Sequence, residues 1–170
     1  TDRKLINFKK NIKNFLIGMD TVSDSLKRKI WIKYHIKALA SYGMSETSFI
    51  ASENNKSCLG NVGFILKKIK VKIDRNFDQD KGEILVKTPY LQECSENKLF
   101  KGWFKTGDIG KIHSDGSLSI LGRKKDIIIK DGKNISPLYI ERVIKRYENI
   151  DEAVIIGIKK NYTEKIILFI

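Results

Sequence analysis

The sequence predicts a mixed fold in which an α/β part is followed by a small α+β part. Apolar residues recur every four positions from Asp24 to Tyr34, which predicts a helix, and a short apolar run follows. Two Asp-Gly pairs, at 115–116 and 131–132, lie between apolar runs and predict β-hairpins. Near the end, Ser136-Pro137 opens a second helical pattern between strand patterns. We therefore expect strands and helices from both halves of the chain.

The first helix is predicted over Asp24–Tyr34, with Ser23 or Asp24 as its N-cap. Its apolar positions are Leu26, Ile30 and Tyr34. The run Ile36–Ala40 predicts a buried strand, and Ser41-Tyr42-Gly43 predicts that this strand ends in a loop.

Most of the remaining elements are predicted strands. Lys68–Asp74 alternates apolar residues with lysines, and we expect it to pair with Glu83–Lys87. The helix after Ser136-Pro137 presents an apolar stripe. That stripe consists of Ile140, Val143, Ile144 and Tyr147. Strands are predicted again at Ala153–Ile158 and Ile166–Ile170.

A charged cluster at 123–126, between the two hairpins, is the best candidate for a domain boundary. It predicts one domain over residues 1–124 and a second over residues 125–170.

Bulk composition predicts a soluble cytoplasmic chain without a membrane span. Hydrophobic residues make up 41% of the chain, and no run reaches the roughly 18 apolar residues of a transmembrane helix. Cys58 and Cys94 lie far apart, outside any redox or metal-ligand spacing, which predicts a reducing environment. The chain starts at Thr1 and ends in an uncapped strand pattern, so we expect it to be cut from a longer protein.

The net charge of +13 is compatible with a nucleic-acid or acidic-membrane partner. The basic residues are nevertheless spread along the whole chain instead of forming one patch. Aromatic residues do not alternate with them as a base-stacking surface requires. We therefore predict that the chain binds no nucleic acid.

The first candidate site is the cluster Tyr42–Thr47, expected in the loop after the first strand. Its aromatic ring, glycine, hydroxyl and carboxylate could stack a base, approach a phosphate, donate to a phosphate oxygen and hold Mg²⁺. A capped turn between a strand and a helix has a similar composition. The residues alone leave both interpretations open.

The second candidate site is Gly102–Gly110, expected on a tight loop. Asp108 lies between glycines, and its carboxylate could accept two hydrogen bonds from a ribose diol. The alternative is a glycine turn that carries a solvated aspartate. Trp103 and Phe104 are more typical of a core.

The third candidate site is Gly122–Asp126, followed by Lys130–Pro137. Arg123 could bind the ribose or the phosphates of a nucleotide. A run of charges at a domain boundary is equally typical of a solvated linker.

The order and spacing of these clusters resemble the adenylate-forming superfamily of acyl-CoA synthetases, luciferases and peptide-synthetase adenylation domains. Tyr42-Gly43-Met44-Ser45-Glu46 is similar to its Y-G-x-T-E motif, and Lys105-Thr106-Gly107-Asp108 to its Y/F-x-T-G-D motif. Gly122–Asp126 is similar to its G-R-x-x-D hinge motif, and Gly132–Glu141 to the G-x-x-I-x-P-x-x-I-E segment that follows. By this resemblance, the chain is the end of the large AMP-binding domain followed by part of the small C-terminal domain.

The resemblance implies nucleotide contacts for the first motif. Tyr42 would flank adenine beside Gly43, Ser45 would contact the α-phosphate, and Glu46 would ligate Mg²⁺. Ser45 stands where the family usually has threonine and keeps the hydroxyl.

It also implies roles for the later motifs. Asp108 with Arg123 would hold the ribose, and Lys125 would be the hinge about which the small domain rotates between its two reaction poses. The loop around Gly132 would approach the thiol tunnel in the second pose.

The implied activity is that of an ATP-dependent acid–thiol ligase using ATP, Mg²⁺ and coenzyme A. A carboxylate attacks the α-phosphate, giving an acyl-adenylate and pyrophosphate, and a thiol then takes the acyl group. A carrier-protein thiol is the alternative acceptor. A non-catalytic truncated remnant that binds AMP weakly is the alternative to an enzyme.

Departures from the family pattern, and one further resemblance, refine this expectation. Gly18-Met19-Asp20-Thr21 stands where the family usually has a Gly-Gly-Ala-type loop. The upstream phosphate loop and the lysine near the end of the small domain are not among these 170 residues, so we expect the isolated chain not to form adenylates. The short span Pro89–Phe100 resembles compact ligases of the o-succinylbenzoate–CoA type.

Overall fold

The structure is a computed structural model that describes residues 12–18, 22–54, 61–75, 80–92, 99–147, 149–160 and 163–170. The helices in these ranges are α1 (Asp24–Tyr34) and α2 (Pro137–Ile144). The strands before position 90 are β1 (Asn14–Ile17), β2 (Lys37–Met44), β3 (Ser48–Ser52), β4 (Phe64–Ile65), β5 (Lys70–Asp74) and β6 (Gly82–Lys87). The later strands are β7 (Leu99–Phe100), β8 (Trp103–Ile112), β9 (Leu118–Arg123), β10 (Ile128–Lys130), β11 (Lys133–Ile135), β12 (Val154–Lys160) and β13 (Thr163–Phe169).

The chain divides into two compact units that are not separated by a single cut in the sequence. The first unit comprises Thr1–Lys72, Leu85–Lys105 and Ile112–Ser119. The second comprises Ile73–Ile84, Thr106–Lys111 and Ile120–Ile170. This division follows spatial contacts, and the domain boundary predicted between residues 124 and 125 stays a prediction.

The first unit is built on a sheet with the strand order β1-β2-β3-β4. Strand β1 runs parallel to β2, and β3 runs antiparallel to it. Helix α1 packs against β2 and confirms the predicted bounds: Ser23 is its N-cap, accepting a hydrogen bond from the Leu26 amide at 3.2 Å. His35, at a φ of 53°, ends the helix in the left-handed conformation typical of such ends.

A further sheet has the order β5-β6-β8-β7, with β9 beside β8. The predicted pairing of β5 with β6 is confirmed. The predicted Asp115-Gly116 hairpin is confirmed as well, because His113 N donates to Ser117 O at 2.8 Å across the turn. Gly116 has a φ of 84°, the left-handed position that a three-residue hairpin loop requires.

The second unit contains two antiparallel pairs, β10 with β11 and β12 with β13. Asp131 and Gly132 connect the first pair with φ angles of 51° and 72°, as a two-residue primed turn requires. Helix α2 begins where predicted, with Ser136 as its N-cap and Pro137 in its first turn. It packs against β12, and β10 contacts β13, which gives this unit its α+β character.

Two predicted loops are wrong, because the chain remains extended there. Strand β2 continues through Met44 with a register shift between Tyr42 and Gly43, so only 45–47 form a turn. Residues 103–112 form one long strand, in which 104, 106 and 108 are buried in alternation and 109 and 110 are buried as well. Asp108 is therefore buried, contrary to the interpretation as a solvated turn residue. Because glycine and aspartate are depleted in strands, their presence here led to the prediction of a loop.

Several lysines of the first unit lie over aromatic rings, which the order of residues in the sequence did not predict. Lys72 Nζ is 4.4 Å from the centre of the Trp103 ring, and Lys105 Nζ is 4.5 Å from that of Phe100. Such contacts contribute only about 0.5–1 kcal/mol at exposed sites. The absence of nucleic-acid binding stays a prediction.

Other predictions fall outside the described residues. Cys58 and Cys94 lie there, and so do Met19–Thr21 of the loop that differs from the family pattern. Within the described ranges, no helix is long and apolar enough to cross a membrane.

Candidate functional site

Tyr42, Ser45 and Glu46 lie on the β2–β3 hairpin of the first unit. The Tyr42 side chain is buried in the sheet, whereas Ser45 at the turn is exposed and Glu46 is half-buried. The turn is closed by a hydrogen bond from Thr47 N to Met44 O at 3.2 Å. The Glu46 carbonyl also accepts from Gln92 N at 2.9 Å. The hairpin thus presents a hydroxyl and a carboxylate from a turn held by backbone hydrogen bonds.

Gly43 lies where the two strands of this hairpin approach most closely. A Cβ atom at this position would lie 2.5 Å from Ser48 O and 2.9 Å from Phe49 Cα. Both neighbours are backbone atoms of β3 and cannot rotate away. The glycine therefore allows β2 and β3 to lie close together next to Tyr42.

A buried ion pair supports β2 from its other side. Glu53 is 8% exposed, and its Oε1 accepts from Lys27 Nζ of α1 at 2.6 Å. Its Oε2 accepts from the Ala40 amide at 2.6 Å. The carboxylate thus joins α1 to β2, two residues before Tyr42.

Asp108 and Arg123, predicted from two separate motifs, meet in the second unit. Asp108 Oδ1 lies 3.0 Å from Arg123 Nε. The aspartate side chain is 5% exposed and the arginine side chain 49% exposed. Arg123 Nη1 also donates to Thr106 O at 3.4 Å. One end of this pair is therefore enclosed in the sheet and the other is open to solvent.

Thr106 organises the backbone around this pair. Its hydroxyl donates to Ile84 O on β6 at 2.8 Å and accepts from Asp108 N at 3.1 Å. Since Thr106 is 4% exposed, both hydrogen bonds are shielded from water. They fix Asp108 relative to the neighbouring strand.

Glu83, also on β6, is a second buried carboxylate of this region. Its Oε1 accepts from Gly107 N at 3.2 Å, and its Oε2 accepts from Lys124 Nζ at 2.7 Å. Its side chain is 8% exposed, whereas that of Lys124 is 58% exposed.

An open cleft of about 460 Å³ lies beside these residues. Gly107, Arg123, Lys124 and Lys125 line it. Arg123 and Lys124 are each paired with a buried carboxylate, Asp108 and Glu83, so Lys125 supplies the excess positive charge that favours an anionic ligand at this cleft.

Lys125 and Gly132 lie in exposed backbone segments. Lys125 is in the 3₁₀ turn Lys124–Asp126, between extended residues at positions 123 and 127. Gly132, at the tip of the β10–β11 hairpin, would have no atom within 4 Å of an added Cβ. The structure thus places neither residue in a packed core.

Each unit holds one set of the predicted residues, with Tyr42, Gly43, Ser45 and Glu46 in the first and Asp108, Arg123, Lys125 and Gly132 in the second. Sequence reasoning missed Glu83 and gave no role to Thr106. The usable signal for Glu83 was an acidic residue next to the apolar run Ile84-Leu85-Val86, inside a predicted strand.

Comparison with known proteins gives several 2-succinylbenzoate–CoA ligases and also a long-chain-fatty-acid–CoA ligase. No protein-family model matches the chain. The 2-succinylbenzoate–CoA ligase of Listeria monocytogenes is 37% identical over 158 residues, covering 86% of this chain and 32% of the ligase. The o-succinylbenzoate CoA synthetase of Bacillus subtilis with its acyl-adenylate intermediate has a TM-score of 0.78 and 29% identity, covering 92% of this chain and 36% of the other. For the structure of the same enzyme in complex with ATP and magnesium ion, the TM-score is 0.75 and the sequence identity is 27%. That match covers 96% of this chain and 39% of the other.

The chain therefore spans about a third of the length of the relatives that it matches. The sequence match and the structural match both cover most of the chain. They confirm the resemblance drawn from the four motifs, and they confirm the mixed fold class. The chain belongs to the adenylate-forming superfamily.

Proposed function

We propose that the protein containing this chain is an ATP-dependent ligase that joins a carboxylic acid to coenzyme A through an acyl-adenylate. The observation that carries the proposal is the 3.0 Å contact of Asp108 with Arg123, next to a cleft with three cationic side chains. Residues of two different family motifs meet there, as a nucleotide site of this family requires.

Asp108 and Arg123 hold the ribose in this proposal. The exposed guanidinium lines the cleft, and the buried carboxylate orients it. Because an arginine held by a carboxylate keeps a fixed set of donors, the pair suits a ligand that carries a diol next to phosphates.

The β2–β3 hairpin contributes the adenine and phosphate contacts. Tyr42 flanks the base beside Gly43, and the exposed hydroxyl of Ser45 donates to the α-phosphate. Glu46 is the residue that would hold Mg²⁺. The described residues contain no group of three or more metal-ligating side chains, but Mg²⁺ commonly takes one or two carboxylates plus substrate phosphates, so a single glutamate fits. When bound, the ion would neutralise phosphate charge.

The first step is attack of the acid's carboxylate oxygen on the α-phosphorus of ATP. The new P–O bond forms as the bond to pyrophosphate breaks, giving the acyl-adenylate. In the second step, the thiolate of coenzyme A attacks the acyl carbon, and AMP leaves. The side chains named above act by positioning and by balancing charge.

Lys125 is the hinge between the two steps, and Gly132 then borders the thiol. The exposed 3₁₀ turn at Lys125 has no tightly packed side chain to displace when its dihedral angles change. The open space around Gly132 leaves its backbone accessible to a co-substrate.

For the acid, we propose 2-succinylbenzoate, since the Listeria and Bacillus relatives carry that substrate in their names. Coenzyme A is preferred over a carrier protein for the same reason. We place the reaction in the cytoplasm, where ATP and coenzyme A are available.

The test is an acid panel with the full natural protein. Pyrophosphate release should depend on 2-succinylbenzoate, and the thioester should form only when coenzyme A is added. Pyrophosphate release that depends on another acid would show that this acid, and not 2-succinylbenzoate, is the substrate. Loading of a carrier protein in place of coenzyme A would move the protein to the adenylation-domain class.

A companion measurement uses the 170 residues alone. We expect no ATP–pyrophosphate exchange from them, because the upstream phosphate loop and the terminal lysine of the family are not among these residues. Exchange by the isolated chain would contradict this expectation. Inactivity of the full natural protein with every acid would favour the non-catalytic remnant.

A further inference from the structure

Glu83 links the two residues that directly neighbour the proposed ribose pair. Its Oε1 accepts a hydrogen bond at 3.2 Å from the amide of Gly107, the residue before Asp108. Its Oε2 accepts a hydrogen bond at 2.7 Å from the ammonium group of Lys124, the residue after Arg123. One carboxylate on β6 therefore holds the backbone beside the aspartate and the side chain beside the arginine.

The burial of Glu83 makes these contacts strong constraints. The residue is 7% exposed, so an unpaired charge there would be costly, and both oxygens have partners. The hydrogen bond from the Thr106 hydroxyl to Ile84 O ties the same two strands together one residue away, and that hydroxyl also accepts from Asp108 N within β8.

We propose that Glu83 is the positioning residue of the ribose-binding pair: it sets the geometry of Asp108 and Arg123 without touching the nucleotide. This inference rests on the proposed function, because it assumes that the pair binds ribose hydroxyls. A misplacement of about 1 Å at a binding group can cost on the order of 100-fold in rate, so a distant carboxylate can control nucleotide recognition.

The experiment compares AMP with 2′,3′-dideoxy-AMP, which lacks the hydroxyls that the pair would bind. Dissociation constants are measured by calorimetric titration of the full natural protein and of its Glu83→Ala variant. We expect Glu83→Ala to weaken AMP binding about tenfold and dideoxy-AMP binding less than about twofold, because only hydrogen bonds to the hydroxyls are lost. Lys124 is unsuitable for substitution, since it lines the cleft and could contact the ligand itself.

Glu83→Gln keeps the test valid if the alanine variant does not fold. Glutamine retains an acceptor for the Gly107 amide but loses the ion pair with Lys124. We expect it to weaken AMP binding about threefold, between the wild type and the alanine variant.

Glu53 offers a matched control within the same chain. It is also a buried glutamate that accepts from one lysine ammonium and one backbone amide, but it lies in the other unit. Glu53→Ala and Glu83→Ala should both lower the midpoint of urea unfolding, but Glu53→Ala should leave the ratio of the two dissociation constants unchanged.

Two outcomes are kept apart by this design. If wild-type protein binds AMP and dideoxy-AMP equally, the ribose assignment of the proposed function is wrong. If the wild type discriminates and Glu83→Ala weakens both ligands in parallel, or Glu53→Ala changes the ratio equally, the positioning role of Glu83 is overturned.

Discussion

Asp108 and Arg123 form an ion pair whose two ends have opposite environments, with 5% of the aspartate side chain exposed and 49% of the arginine side chain. The aspartate is held by the sheet, and the arginine reaches the cleft. Removing either partner has different consequences. Without Asp108 the guanidinium loses its orientation, whereas without Arg123 a carboxylate stays buried with one cation fewer.

The first prediction concerns ligand affinity. We expect Asp108→Ala in the full natural protein to weaken AMP binding by about 10- to 100-fold, since hydrogen bonds to charged groups contribute roughly 1.5–3 kcal/mol. Calorimetric titration with AMP measures the change. Asp151→Ala, at an exposed position, is the control and should bind as the wild type does. Unchanged affinity in the Asp108 variant would support the remnant alternative.

The second prediction concerns stability at Gly43. The added methyl of Gly43→Ala would meet Ser48 O at 2.5 Å, so we expect a loss of about 1–3 kcal/mol in the free energy of unfolding, as for other overpacked sites. Urea unfolding followed by circular dichroism measures it. Gly102→Ala is the comparison, because a Cβ there meets no atom within 4 Å and only its φ of 75° is unfavourable. A larger loss for Gly102→Ala than for Gly43→Ala would contradict the collision argument.

The third prediction separates the two half-reactions. Lys125→Pro fixes φ at the proposed hinge, whereas Lys125→Arg keeps the positive charge at the cleft and leaves φ free. We expect the proline variant to lower thioester formation by at least about tenfold while pyrophosphate exchange falls less than about threefold. The arginine variant should retain both rates. Equal loss of both half-reactions in the proline variant would argue against a hinge at this residue.

The fourth prediction concerns pH. Hydrogen bonds from the hydroxyl and the amide of Ser117 hold the pKa of Asp115 below its ordinary value of 3.8. A lowered folded-state pKa means that this contribution to stability is present above the unfolded pKa and is lost as the pH falls through the folded value. Ser117→Ala should therefore raise the pKa of Asp115, which an NMR titration of its carboxyl carbon would detect. An unchanged titration curve would show that the hydroxyl does not stabilise the carboxylate.

Local signals predicted much of the secondary structure. The helix over Asp24–Tyr34, its Ser23 cap and both Asp-Gly hairpins are confirmed, because capping and turn chemistry act over a few residues. The order of the family motifs predicted the superfamily.

The contacts that build the candidate site had weaker sequence signals. Glu83 and Lys124 are 41 residues apart, and only the sheet brings them together. Strand β8 was predicted as a loop because it contains glycine and aspartate, which are depleted in strands. The burial of Asp108 continues the alternation of 104 and 106 in that strand, so it could not be predicted once a loop had been assumed.

Gly43 and Gly132 are expected to be conserved for different reasons in related proteins. At position 43, backbone atoms of β3 stand in the way of any side chain, so selection for folding alone preserves the glycine. At position 132 the surroundings are open, and only a φ of 72° disfavours replacement. If Gly132 borders the thiol as proposed, a lineage that has lost thioester synthesis but still makes a folded protein would replace Gly132 by residues that tolerate a positive φ and would retain Gly43. Comparing the residues at positions 43 and 132 in related sequences would therefore distinguish loss of the reaction from loss of the fold.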